Sequence, residues 1–534
     1  MMSDTERKMV RLAEIFQDNM VLQREKEVRL MGECMCACTL TVYLNNVCVA
    51  AKQCEAGAFA VMLPGQRAME NVTLLVHAAC ADRETEIVFS NVDFGEVWIA
   101  GGQSNMEFAL RFDAEGGKQI AAASDEHFRF YDVGEYASVE AKRAPDAPAG
   151  WDRWLSYCPA YAPDFSAVGT YFALMLRERL KVPVGIVGCN WGGTSASAWV
   201  PEQLLRGNRK LRVYTDRYER DMQGFDPQKY EKQLQRERAY WSRPSVARES
   251  EHRMKYEVLG PPGKLARLKE RVRQKRLKLG PCSQNRPGGL YEMMVRQAAG
   301  YTAAGVLWYQ GETDYDHADI YEELLRTLIG AWREAWGEKL PFLLVQLASY
   351  EGWAECSGET FHIIRRSQQK VADEGTGIYL ASIMDVGSRY DIHPKRKRPV
   401  GERLGRLALH YIYGSEESCE APRLIRLQRE ADGALTAVFD HAQGGLAARG
   451  EIGPLFTVTA DGKEVDCEAS LKESCVILRA AALAKAKNVE VSFAYRPFCE
   501  MTLFSGDGLA ARPSGPMKAQ GYSATAQASA QSSS

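Results

Sequence analysis

Val97-Trp98-Ile99-Ala100-Gly101-Gly102-Gln103-Ser104-Asn105-Met106 is the stretch from which the chain is best approached. Its apolar start runs without a polar break, as in a strand buried on both faces. Two glycines end the strand and Ser104 follows. A serine at such a strand end, just before a helix, has two readings. It is a nucleophile whose turn aims backbone N–H groups at an oxyanion, or it caps the next helix. The Gly-x-Ser-x-Gly elbow is absent, so that signature does not choose between them.

Downstream, buried strands alternate with amphipathic helices, which predicts a parallel sheet with α/β crossovers. Residues 166–180 read as a helix. Val184-Gly185-Ile186-Val187-Gly188 is a strand that opens into Asn190-Trp191-Gly192-Gly193-Thr194. Ala304 to Tyr309 is another, opening into Gln310-Gly311-Glu312. Tyr321, Leu324, Leu325, Leu328, Ile329, Trp332 and Trp336 then recur at helical spacing and predict a core-facing stripe. Strands at 342–347 and 377–384 follow, the second ending at Asp385. A loop with Asp391-Ile392-His393-Pro394 leads to a closing helix at 399–412.

The α/β region is expected in two parts, 93–202 and 286–415. Between them, 203–285 is rich in Arg, Lys, Glu and Tyr and reads as a charged helical insertion. Its Lys264 to Lys278 segment is basic. A nucleic-acid patch is one reading and a solvated helical face the other; the chain's formal net charge of −2 favours the second. Short β-rich runs with turns, such as Leu40 to Leu44 before Asn45-Asn46, predict an N-terminal β-domain over 9–92. A second β-domain is expected over 416–515. An Ala/Ser/Gln tail, placed at 516–534, is expected to be disordered.

A chain of 534 residues exceeds one core, and its composition is that of an ordinary globular protein. No run approaches the roughly 20 apolar residues of a membrane span. The charged start, Met1 to Lys8, lacks an apolar h-region, so the cytoplasm is the expected compartment. There the fourteen cysteines are expected as thiols. Cys34, Cys36 and Cys38 alternate along an expected strand and share one face. A metal site is the alternative to small buried hydrophobes, but the usual Cys-x-x-Cys spacing is missing.

Strand C-terminal ends in a parallel sheet point one way, and ligands bind there. Ser104, Gly192-Gly193, Gln310-Gly311-Glu312 and the Asp385 to His393 loop are therefore expected to meet. A serine nucleophile needs a base and an orienter for it. Of eight histidines, only His393 follows a strand-end loop with a carboxylate two residues before it. Asp391 is the preferred orienter and Asp385 its competitor. Oxyanion donors are expected from the N–H of Ser104, the N–H of Gly192 or Gly193, and the Gln310 amide. Glu312 is a candidate for orienting the loops.

These motifs resemble the sialate O-acetylesterase family of SGNH-type hydrolases. The match runs through Gly95-Glu96-Val97-Trp98, Gly102 to Met106, Trp191 to Thr194, Trp308 to Glu312 and Asp391 to Lys395. Asp18 to Arg24, Gly444-Gly445-Leu446 and Leu503-Phe504-Ser505 extend it into the flanks. The resemblance implies a three-layer α/β/α core flanked by β-sandwich-like domains. It implies metal-free and cofactor-free removal of O-acetyl groups from sialic acids or related small sugars, with acetylated xylo-oligosaccharides as a rival substrate and an inactive sugar-binding protein as a rival class. Neither nucleic acid nor membrane is an implied partner. Carried onto this chain, Ser104 is the nucleophile and His393 the base, while Gly193 and Gln310 fall at oxyanion positions. Gly101 stands where the family often has Ser, Thr313-Asp314 where it often has Ser-Asn, and Glu292 where it often has Asn. Asp314 and Glu292 raise the expectation of extra negative charge near the site.

Overall fold

The strand Arg83–Gly102 (β1) joins the two halves of the molecule. Its first half pairs antiparallel with Met69–Cys80. Its second half lies between two parallel neighbours. The computed structural model describes residues 9–81, 83–138, 152–258, 279–353, 356–442 and 444–520.

The parallel sheet contains β1, β2 (Asp125–Asp132), β3 (Trp154–Tyr157), β4 (Val184–Asn190), β5 (Gly305–Tyr309), β6 (Phe342–Val345) and β7 (Ile378–Ala381). Its order is β3-β2-β4-β1-β5-β6-β7. Only β3 runs antiparallel, against β2. The chain steps outward on one side of β1 and returns on the other, so a crevice opens at the C-terminal ends of β4, β1 and β5.

Four helices cover this sheet: α1 (Ala167–Leu180), α2 (Tyr321–Trp336), α3 (Phe361–Glu374) and α4 (Arg398–Tyr411). Ser166 caps α1 by accepting the Gly169 N–H. The stripe on α2 is buried throughout, and Gly337 closes that helix at φ +71°. Side chains three apart on a strand point to opposite faces. Trp98 meets Phe172 of α1 edge-on, with ring centroids 5.0 Å apart. Gly101 faces the other way, where a Cβ would lie 2.9 Å from the Trp308 ring and 3.1 Å from Trp332 of α2. Helices therefore lie on both faces, and the tryptophans account for a glycine at 101.

Among the N-terminal strands, Val10–Leu12, Val28–Cys34 and Gly57–Leu63 form a separate sheet, and the others join the sheet of β1. Asn45 and Asn46 both have positive φ and make the tight turn between Cys38–Leu44 and Val47–Cys54. The boundary expected at 92/93 falls inside β1. Buried apolar residues from Met9 to Cys419 form one continuous core, because a single strand runs through both halves. Residues 424–511 pack mainly around a second core. The C-terminal sheets also correct the expected tail, since Ser514–Lys518 is a strand paired with Val489–Phe493. Residues 521–534 lie outside the described residues.

The insertion is mainly helical up to Lys255, with Arg212–Met222, Pro227–Trp241 and Pro244–Lys255 as its longer helices, while residues 279–285 are turns and coil. The basic segment Lys264 to Lys278 lies outside the described residues. The three cysteines do not alternate on one strand. Cys34 ends one strand and Cys38 begins the next, with the sulfurs 3.7 Å apart. Burial, reinforced by neighbouring thiols, pushes Cys34 up to about 12, so it stays a protonated thiol. Among the described residues no cluster suits a metal ion.

Candidate active site

The turn after β1 explains its glycine. Gly102 has φ +138°, and a Cβ there would fall 2.1 Å from the Tyr309 carbonyl oxygen. Only glycine fits this close approach of β1 to β5. Gln103 then flanks a short helix, Ser104–Glu107. As a first-turn residue, Ser104 presents an N–H with no intrahelical acceptor.

The loop after β7 brings His393 to this serine. His393 Nε2 lies 2.9 Å from Ser104 Oγ, and both residues are partly exposed. With the ring proton on Nδ1, Nε2 accepts the hydroxyl. Burial within the cleft, helped by the positive charges of Lys397 and Lys395, pushes the imidazole down to about 3. His393 is therefore neutral across the physiological range, with Nε2 free to accept a proton.

Neither candidate carboxylate bonds the imidazole ring. Both Asp385 oxygens are taken by Arg403, at 2.6 and 2.8 Å. Asp391 is buried and accepts the backbone N–H of His393 at 2.9 Å. Its other oxygen faces Lys395 Nζ at 3.0 Å and the Val258 N–H at 3.3 Å. Asp391 thus fixes the loop that carries the base, which corrects its expected bond to the ring.

Gln310 also departs from expectation. Its Nε2 donates to the Thr194 carbonyl at 3.1 Å and to Asp314 Oδ2 at 2.6 Å. Both amide protons are used, so Gln310 braces the Trp191 to Thr194 turn and offers no oxyanion donor. Asp314 is buried and also accepts from Ser195, Ala196 and Tyr214. Glu292 pairs with Arg296. Asp314 thus sits beside the turn with its oxygens taken up by these donors, while Glu292 is held by Arg296.

Gly192 and Gly193 divide the remaining work. A Cβ on Gly192 would lie 3.2 Å from the Ser104 Cβ, so this turn closes directly on the nucleophile. The Gly192 N–H already donates to Glu107 Oε2 at 2.6 Å. Among the described residues the Gly193 N–H meets no acceptor. Burial raises the Glu107 carboxyl, and burial with mutual repulsion raises nearby Asp132 to about 7 and Glu135 to about 10. The acids of this region thus retain protons more readily than solvated carboxyls do.

Two residues that the motif reading did not single out link the parts. Asn105 donates to Glu312 Oε1 at 2.5 Å and to the Ile392 carbonyl at 3.0 Å. Lys397, fully buried, donates to Asn105 Oδ1. Burial pushes its ammonium down to about 7, against the opposing pull of Glu312. Asn105 follows the nucleophile and Ile392 precedes the base, so one amide ties both halves of the dyad. The available sequence signal was the His393-x-x-x-Lys397 spacing, which has no chemical meaning until the fold buries the lysine.

Residues 281–406 match the family model for carbohydrate esterase, sialic acid-specific acetylesterase. The matched segment, about a quarter of the chain, is similar to that family. It holds His393, Asp391 and Lys397, whereas Ser104 lies outside it. The sialate O-acetylesterase of Rattus norvegicus is 26% identical over 384 residues, covering 67% of this chain and 62% of that protein. The Homo sapiens sialate O-acetylesterase is 25% identical over 384 residues, covering 67% and 59%. The chain thus spans about three fifths of the length of these relatives. A carbohydrate acetylesterase structure from Xanthomonas citri is 28% identical, covers 95% of this chain and 99% of its own, and superposes with a TM-score of 0.71. The mixed α/β architecture is consistent with that carbohydrate esterase fold.

Proposed function

We propose that this chain is a serine esterase that removes O-acetyl groups from carbohydrates, with acetylated sialic acids as the substrate class suggested by its relatives. The carrying observation is the Ser104 Oγ to His393 Nε2 distance of 2.9 Å at the sheet crevice. In this reading the parallel sheet with its helices is the three-layer core of an SGNH-type hydrolase, and the N- and C-terminal β regions are accessory domains. A reducing compartment such as the cytoplasm would keep Cys34 and Cys38 as thiols.

Ser104 Oγ attacks the acetyl carbonyl as His393 Nε2 takes its proton. The N–H groups of Ser104 and Gly193 receive the developing oxyanion. As the tetrahedral species collapses, the C–O bond to the sugar breaks and the sugar oxygen takes the proton from His393. Water, deprotonated by His393, then attacks the acetyl-enzyme and releases acetate.

Hydrolysis of 4-nitrophenyl acetate by the wild-type chain tests this reading. Ser104→Ala and His393→Ala should each lower kcat by at least roughly a thousandfold. Full rates in both variants would remove the dyad from the mechanism. A wild-type chain that binds acetylated sugars without releasing acetate would be a binding protein.

A further inference from the structure

A cavity of about 470 Å³ lies outside the dyad, where three parts of the chain converge. One wall is the 384–390 segment that leads into the His393 loop. Another is the end of the insertion at Glu257 and Val258. The third comes from the C-terminal β region, with Arg449, Phe498 and Phe504. Its volume is in the range of small-ligand sites.

The lining alternates plates and polar groups. The Arg389 guanidinium lies 4.5 Å from the Phe498 ring centroid, and Arg449 lies 4.1 Å from that of Phe504. Ring faces hold guanidinium groups flat, with their N–H edges directed outward. The charges of this lining balance. Arg389 pairs with Glu351, and Asp385 with Arg403. Arg396, Arg449, Glu257 and Glu500 form no ion pair among the described residues, which leaves two positive and two negative groups. A polyanion would meet two carboxylates here. A sugar ring, with hydroxyls that both donate and accept and with apolar C–H faces, matches guanidinium, carboxylate and aromatic groups together.

Position relates the cavity to the reaction. Tyr390 lines it and stands three residues before His393, a span of at most about 11 Å of chain. On the facing wall, the Val258 N–H bonds Asp391, which fixes the His393 loop. The cavity therefore borders the loop that carries the base.

We propose that this cavity is a binding subsite for uncharged sugar units of an oligosaccharide whose acetylated unit lies at Ser104. The proposal rests on the carbohydrate-esterase reading and adds a chain-length and charge preference to it. Calorimetric titration of the full wild-type chain with unacetylated xylotetraose, cellotetraose and a neutral lactosamine tetrasaccharide tests it, with N-acetylneuraminic acid as the anionic comparison. At least one neutral tetrasaccharide should bind, with Kd rising about tenfold or more in Arg449→Ala and in Phe498→Ala. Arg449 is exposed, so its variant should fold even where Phe498→Ala does not. In kinetics, Arg449→Ala should lower the ratio of kcat/KM for an acetylated tetrasaccharide to that for 4-nitrophenyl acetate by about tenfold, through KM. The proposal is overturned if no neutral tetrasaccharide shows Arg449-dependent binding, or if N-acetylneuraminic acid binds more tightly with the same dependence. Absence of acetate release by the wild-type chain would sink the esterase reading, while the calorimetry still reports on the cavity.

Discussion

Acidification separates the base described here from a solvated histidine. An ordinary imidazole titrates near 6.5, so only about 3% would be neutral at pH 5 and a rate that needs the base would fall about thirtyfold from its plateau. His393 is pushed down to about 3, first by burial and then by Lys397 and Lys395, which leaves about 99% neutral at pH 5. The assay is kcat/KM for 4-nitrophenyl acetate from pH 8 to pH 5, which reports the free enzyme. No fall on the acid side is expected over that interval, because the His393 limb lies well below it; a change near pH 7 would report Lys397, whose ammonium is pushed down to about 7. Replacing both lysines in Lys395→Met/Lys397→Met should move the limb upward, toward pH 5. A wild-type limb with its midpoint near 6.5 would refute the argument, because it would mean that the imidazole titrates as though solvated. Stability follows with the same sign. The unfolded imidazole gains its proton near 6.5 and the folded one only near 3, so up to about 1.4 kcal/mol per pH unit is lost as pH falls between those values.

Lys397→Met alone should lower kcat by about ten- to a hundredfold with little change in KM for the aryl ester. The lost charge-assisted bond to Asn105 is of a kind worth about 1.5–3 kcal/mol; an unchanged kcat would reduce Lys397 to a space-filling role. Gly102→Ala places a methyl group 2.1 Å from the Tyr309 oxygen at φ +138°, and more than about 3 kcal/mol should be lost, read as soluble yield and denaturant midpoint. Asp391→Ala and Asp385→Ala should part company. The first loosens the His393 loop and lowers kcat, whereas the second leaves the Arg403 guanidinium without its partner and lowers the unfolding midpoint. Equal effects of the two on kcat would argue against a positioning role for Asp391.

Much of the fold can be read from hydrophobic periodicity, because buried parallel strands and the α2 stripe leave strong local patterns. Convergence of Ser104, Gly192-Gly193, Gln310-Gly311-Glu312 and His393 also follows from one rule, that strand ends of a parallel sheet share an edge. Partner choice among polar groups is harder to read. Nothing local to Asp385 states that Arg403 will occupy it, and nothing local to Gln310 states that Thr194 and Asp314 will use its amide protons. The domain boundary was missed for a related reason. Composition changes near residue 92, but the backbone of β1 continues through that change. Cys34 and Cys38 were misread because a turn with ordinary side chains interrupts what the spacing suggests is one strand.

The continuity of β1 makes the N-terminal sheet part of the active site's foundations. Cutting the chain at residue 92 would sever a single strand in mid-span, strip β1 of its Met69–Cys80 partner and remove the Val21–Gln23 pairing that flanks Gly95. Limited proteolysis or truncation there would yield a fragment whose central strand begins frayed a few residues from the nucleophile turn. The N-terminal sheet is consequently a poor module for exchange between homologues: a graft has to preserve strand register across the junction, or the error is carried along a rigid ribbon to Ser104.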